Sequence, residues 1–131
     1  MRIAKMDYIC LKKHCITCCV DTQMPLSLQD ISRIEGLGFD RDYFVVSNKC
    51  WLQLKNRDGR CVFHNGTRCE IYDHRPDGCR LYPVIFDYDT KRPLLDEDCP
   101  YKEEFSITDA TRKELLQLVS RIMAERYKRL F

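Results

Sequence analysis

The apolar positions of this chain form two helical stripes, separated by a long stretch of short alternating runs. Leu28, Ile31, Ile34 and Leu37 recur at three-residue steps, a spacing that predicts a helix. Ser27-Leu28-Gln29-Asp30 reads as a capping box with Asp in place of Glu, and Gly36 and Gly38 end the element. The second stripe is Leu115, Leu118, Val119, Ile122, Met123 and Tyr127. Thr108 or Ser106 can cap it, Asp109 sits in its first turn, and Lys128 and Arg129 suit the dipole at its C-terminal end. This is the clearest helix of the chain. Its apolar face is expected to pack on a sheet; the rival reading is a docking surface or dimer contact.

Between the stripes the period shortens. Residues 43–46, 50–55 and 61–63 read as strands, with turn signals at Asn56-Arg57-Asp58-Gly59 and at Asn65-Gly66. A small antiparallel sheet over residues 43–72 is the natural expectation. Residues 73–100 contain Pro76, Pro83, Pro93 and Pro100 with Gly78 and read as irregular, apart from a short hairpin joining 86–88 to 94–95. The first 20 residues carry too few apolar positions for a long helix. No repeat of fixed period and no low-complexity stretch interrupts the pattern. The predicted class is α+β. A small antiparallel sheet, an irregular cysteine-rich segment and a long C-terminal helix make one domain over residues 1–131, organised around a metal centre.

Composition supplies the reason for a metal centre. The chain has 131 residues, of which 32% are charged and 44% hydrophobic, and the hydrophobic share includes nine cysteines. The aliphatic and aromatic core is therefore modest, and metal-binding free energy would become folding free energy. The cysteines are Cys10, Cys15, Cys18, Cys19, Cys50, Cys61, Cys69, Cys79 and Cys99. Adjacent thiols such as Cys18 and Cys19 make a strained disulfide but can point at one metal or at two neighbouring ones. Thiolates are soft ligands that select zinc, copper(I) and iron–sulfur clusters over magnesium or calcium. A structural zinc or a four-iron cluster each wants four such ligands, so a local pair like Cys15 and Cys18 must be completed from distant segments. Cys61, Cys69, Cys79 and Cys99, with turns between them, would stitch the sheet to the irregular segment. His14, His64 and His74 are candidate fourth ligands; the competing reading of each is a solvated or hydrogen-bonded ring.

Charge and termini narrow the classes further. A net charge of +2, with no basic patch interleaved with aromatics, argues against a nucleic-acid partner. Residues 1–7 hold no apolar run of signal-peptide length, and no segment approaches the roughly 20 apolar residues of a membrane span. The expectation is a cytoplasmic chain with reduced thiols, no membrane partner and an unidentified protein partner. The competing reading is a disulfide-stapled secreted domain, which the missing signal and the vicinal pair disfavour.

The motifs carry a resemblance. Cys61-Val62-Phe63-His64, Cys69-Glu70-Ile71-Tyr72 and Arg75-Pro76-Asp77-Gly78-Cys79-Arg80-Leu81-Tyr82-Pro83 resemble the CxxCxxCC cysteine-cluster family. That family is described as zinc- or iron-chelating and often as iron–sulfur-cluster proteins, and a related domain occurs in flagellin lysine N-methylases. The resemblance spans roughly residues 10–100. It implies ligand roles for Cys15, Cys18, Cys19, Cys61, Cys69 and Cys79; Cys99, in Asp98-Cys99-Pro100, is a further candidate ligand beside them. The family's first cysteine would fall at Lys12, and Cys10, two residues earlier, is the candidate to replace it. Cys50 has no place in the pattern and reads as a buried thiol on a strand. Arg75 and Arg80 stand where guanidinium donors would compensate clustered thiolates; ordinary salt bridges are the alternative. Tyr72 and Tyr82 read as core residues with a polar handle.

Three functions follow in order. The first is a protein holding one or two cysteine-ligated centres, iron–sulfur (4Fe-4S) before zinc, with a structural or electron-transfer role. The second is a structural zinc-binding interaction domain that uses the C-terminal helix. The third, suggested by the methylase relatives alone, is a component of a protein-methylation enzyme. Whether the chain is an enzyme stays open, and no catalytic residue is assigned.

Overall fold

The structure, a computed structural model, describes residues 19–131. Helix α1 (Leu28–Glu35) opens with the expected capping box: Ser27 Oγ accepts from the Asp30 N–H at 3.0 Å, and Asp30 Oδ2 accepts from the Ser27 N–H at 3.1 Å. Gly36 is the C-cap, and Gly38 follows at φ +105°, a conformation open to glycine. Ile31 and Ile34 are fully buried, whereas Leu28 and Leu37 are exposed. A three-residue step falls short of the 3.6-residue turn, so the stripe winds around the helix and only its middle faces the core.

The expected strand at 43–46 starts late. Residues Arg41–Phe44 form a short helix, α2, and β1 is Val45–Asn48. Burial of Phe44 outweighs the β preference of Tyr43 and Phe44. Strand β1 pairs antiparallel with β2 (Trp51–Leu54) across the two-residue turn Lys49-Cys50. Cys50 is therefore a half-buried turn residue, not a strand residue. Lys49 and Cys50 have φ of +51° and +65°, the signs of a type I′ turn, which favours Asn-Gly. Arginines of the C-terminal helix hold this turn. Arg126 Nε and Nη2 donate to the Lys49 carbonyl at 3.1 and 2.8 Å, and Arg129 Nε donates to the Cys50 carbonyl at 3.0 Å. Cys50→Gly should stabilise the protein by about 0.5–1 kcal/mol, because the left-handed conformation costs a non-glycine residue about 1–2 kcal/mol. In thermal unfolding the midpoint should rise by about 2–4 °C; a fall would mean that the Cys50 side chain contributes more than its backbone costs.

A second hairpin joins β3 (Asn56–Arg57) to β4 (Arg60–Cys61) through the expected Asp58-Gly59 turn. Residues 69–72 add no strand: they contribute an isolated bridge between His64 and Cys69 and then a 3-10 turn at Tyr72–His74. In place of one sheet over 43–72 there are separate two-stranded ladders. Residues 20–26 lie along them, bridging Val20 to Arg60 and Pro25 to Gln53. The Leu26 N–H donates to the Leu52 carbonyl at 2.6 Å, and the Leu54 N–H to the Met24 carbonyl at 3.0 Å. This N-terminal strip satisfies edge groups that a wider sheet would otherwise pair.

The segment expected to be irregular holds a short helix, α3 (Asp77–Leu81), and a hairpin of β5 (Val84–Asp87) and β6 (Arg92–Leu95). Helix α4 (Asp109–Leu130) is capped by Thr108, whose Oγ1 accepts from the Thr111 N–H at 3.1 Å. Its buried residues Leu115, Leu118, Val119 and Ile122 pack with Leu81 of α3 and Val84 of β5, flanked by Trp51, Phe86 and Leu95. Met123 and Tyr127, expected on that face, are 48% and 64% exposed. A second core lies among Leu26, Ile31, Ile34, Phe44, Leu54 and Phe63. Helix α1 meets α4 through polar contacts: the Leu28 N–H donates to Glu125 Oε1, and Arg121 Nη1 to Gln29 Oε1, both at 2.9 Å. Among the described residues no helix is long and apolar enough to cross a membrane.

Candidate metal centre

Four separate segments deliver cysteines to the second core. Cys61, at the end of β4, is 5% exposed and part of that cluster. Val20 bridges Arg60, and the same antiparallel register, extended by one residue, sets Cys19 opposite Cys61. The Asp21 N–H donates to the Gly59 carbonyl at 2.8 Å. The Thr22 N–H donates to Asn56 Oδ1 at 3.0 Å, and Asn56 Nδ2 donates to the Thr22 carbonyl at 2.9 Å. These bonds lock the register. Half-buried Cys19, Cys69 and Cys79 pack against the cluster that contains Cys61.

The loop from Cys61 to Cys69 doubles back on itself. The His64 N–H donates to the Cys61 carbonyl at 2.9 Å, and the Glu70 N–H to the Phe63 carbonyl at 2.8 Å. At the tip, Asn65 Oδ1 accepts from the Thr67 and Arg68 N–H groups, both at 3.0 Å, an Asx turn of the kind asparagine favours. Gly66 continues it at φ +99°. The expected turn at Asn65-Gly66 is thus what returns Cys69 to Cys61.

Cys79 lies on α3, which a buried carboxylate fastens. Asp30, fully buried, accepts at Oδ1 from the Asp77 N–H and from Arg33 Nη2, both at 3.0 Å. Arg33 Nη2 also donates to the Arg75 carbonyl at 2.9 Å. Burial and the neighbouring Asp30 charge raise the Asp77 pKa, opposed by Arg33, Arg80 and Arg121. The helix sits so close to residues 20–26 that a Cβ on Gly78 would force the Met24 side chain to shift.

The other sequence candidates within the described residues are not part of this cluster. Cys99 is buried in another cluster with Phe105, flanked by Tyr82, Leu95 and Tyr101. Cys10, Cys15 and Cys18, with Lys12 and His14, lie outside the described residues. His74 is exposed on its 3-10 turn. Arg75 Nε donates to the Tyr72 carbonyl at 2.8 Å, and its guanidinium lies 3.8 Å from the centre of the Tyr72 ring. Arg80 Nη2 pairs with Glu114 Oε2 on α4 at 2.6 Å. Burial, and after it the charge of Arg60, lowers the His64 pKa. Sequence reasoning passed over Arg60, although its place directly before Cys61 in Asp58-Gly59-Arg60-Cys61 was a signal.

Among the described residues no group of three or more His, Cys, Asp or Glu side chains is assembled to hold a metal ion. The donor chemistry nevertheless suits a soft metal: the thiols of Cys19, Cys69 and Cys79 pack against the apolar cluster that holds Cys61. Among the described residues, His64 Nε2 is a buried polar atom with no hydrogen-bond partner.

Residues 9–113 match a protein family named CxxCxxCC and described as "putative zinc- or iron-chelating domain". No match to a curated protein or to a solved structure was found.

Proposed function

The chain belongs to the CxxCxxCC family, and from that premise we propose that it holds one or two cysteine-ligated centres of iron–sulfur type, with a structural or electron-transfer role. The family description supports metal binding as such, by zinc or iron. The observation that carries the reading is the packing of Cys19, Cys61, Cys69 and Cys79, from four segments, on one buried cluster. In this reading Cys10, Cys15 and Cys18 extend the ligand set, and Cys99, in its own cluster, serves a second centre.

When bound, an iron–sulfur cluster supplies a one-electron couple, whereas zinc supplies a fixed tetrahedral crosslink. The chain's own residues set the surroundings. Phe63 and Leu54, 2% and 3% exposed, belong to the apolar cluster against which the cysteines pack. The bonds from Asp30 and Arg33 to residues 75–77 hold Cys79 in place. Arg60 offsets the negative charge of clustered thiolates.

A second reading, a structural zinc domain that presents α4 to a protein partner, draws on Leu116, Met123, Tyr127 and Leu130, all at least 39% exposed along that helix. Metal and acid-labile sulfide content, with an absorption spectrum, on protein purified without oxygen separates the two. Iron with sulfide and a broad visible band is the expected result. Zinc without sulfide or colour would select the second reading, and neither metal would sink both.

A further inference from the structure

His64 is buried, 7% exposed, yet its two ring nitrogens are treated unequally. Nδ1 accepts a hydrogen bond from the Gly66 N–H at 3.0 Å. A backbone amide nitrogen only donates, so Nδ1 carries its lone pair there and the ring proton sits on Nε2. Among the described residues, Nε2 is buried without a partner. An unsatisfied buried donor costs about 1–3 kcal/mol, so such groups in folded proteins nearly always have a partner.

The loop's architecture enforces this assignment. Gly66 at φ +99° and the Asn65 Asx turn aim the Gly66 N–H back at the ring. The His64 backbone bridges Cys69 and donates to the Cys61 carbonyl, so the imidazole stands on the turn that joins two candidate ligands. For Nε2 to bind a metal, the ring would have to take the other tautomer, with its proton on Nδ1, and the Gly66 N–H would lose its acceptor.

We propose that His64 is not a ligand of the cysteine-held centre but a hydrogen-bond donor to it, its Nε2–H directed at a sulfur acceptor. That sulfur is either a ligand thiolate or an inorganic sulfide. The inference rests on the metal-binding reading above. The group orients and tunes rather than coordinates: a donor to sulfur draws off negative charge, which tightens metal retention and raises the reduction potential of an iron–sulfur centre.

The test compares wild type, His64→Gln, which keeps an N–H donor, and His64→Leu, which does not. Each is reconstituted under reducing conditions with cobalt(II) alone and, separately, with iron and sulfide. In the cobalt form a thiolate acceptor predicts that His64→Leu binds about tenfold more weakly. Its sulfur-to-cobalt band should shift to lower energy with undiminished thiolate ligation, and His64→Gln should restore the wild-type spectrum. A sulfide acceptor leaves the cobalt forms alike. It shifts the iron–sulfur couple of His64→Leu about tenfold towards the oxidised state, ~59 mV for one electron. Nitrogen-15 NMR of the zinc-loaded wild type needs no variant and reads the tautomer directly: a proton on Nε2 is expected. A metal-bound Nε2, or three proteins identical in both metal forms, would overturn the proposal. Wild type that binds neither metal would instead overturn the metal-binding reading beneath it.

Discussion

Cys79→Ser is expected to purify with a small fraction of the metal that wild type carries, and Cys50→Ser with the full amount. Cys79 sits on α3, held by the buried carboxylate of Asp30 and packed on the cluster of Cys61. Cys50 sits in the β1–β2 turn under Arg129, within a different packing arrangement. Hydrogen-bond partners of metal ligands are worth about 10–100-fold in affinity, so loss of a ligand should cost at least ~100-fold. Because a metal that binds only the folded state stabilises it, a 100-fold loss removes up to about 2.7 kcal/mol of stability. Metal analysis and chelator competition on the three proteins check this. Equal metal in Cys79→Ser and wild type would refute the assignment of Cys79.

Asp30→Ala should cost about 3–5 kcal/mol, the usual result of removing one partner from a buried, hydrogen-bonded ion pair. The substitution strips the acceptor from the Asp77 N–H, the Ser27 N–H and Arg33 at once. Arg33 is 34% exposed, so water softens its share, while the Ser27 end of the network is fully buried. Against a typical stability of about 5–15 kcal/mol, this is a large fraction. Asp30→Asn keeps the shape and most acceptor capacity and should lose roughly half as much. Urea unfolding of both variants measures it; a loss below about 1 kcal/mol for Asp30→Ala would show that the network is not what fastens α3. Metal affinity should fall alongside, since residues 75–81 carry Cys79.

The cysteine clusters and the Arg75–Pro83 motif make the family legible from the sequence, because such spacings carry ligand chemistry directly. Local signals were equally readable. The capping box at Ser27, the Asp58-Gly59 turn, the Thr108 cap and the long C-terminal helix all depend on residues within one or two turns of each other. The failures share one cause. Tyr43 and Phe44 left the strand because Phe44 is buried in a core formed by distant residues. Met123 and Tyr127 left the buried face because the partner of α4 is α3 with the β5–β6 hairpin, not a sheet over residues 43–72.

What the sequence determined by itself was the chemistry on offer: soft thiol side chains suited to a metal, a modest apolar core and the local stops and starts of the α+β elements. What only the tertiary structure decided was which groups meet. Cys19, Cys61, Cys69 and Cys79 share one cluster while Cys99 does not. Arg60, rather than Arg75 or Arg80, is the cation whose charge reaches His64. The Gly66 amide decides which nitrogen of His64 bears the proton. The reason is physical: propensity and capping act along the chain over a few residues. Burial, ion pairing and tautomer choice depend on groups brought together in space, some of them from segments 40 or more positions apart.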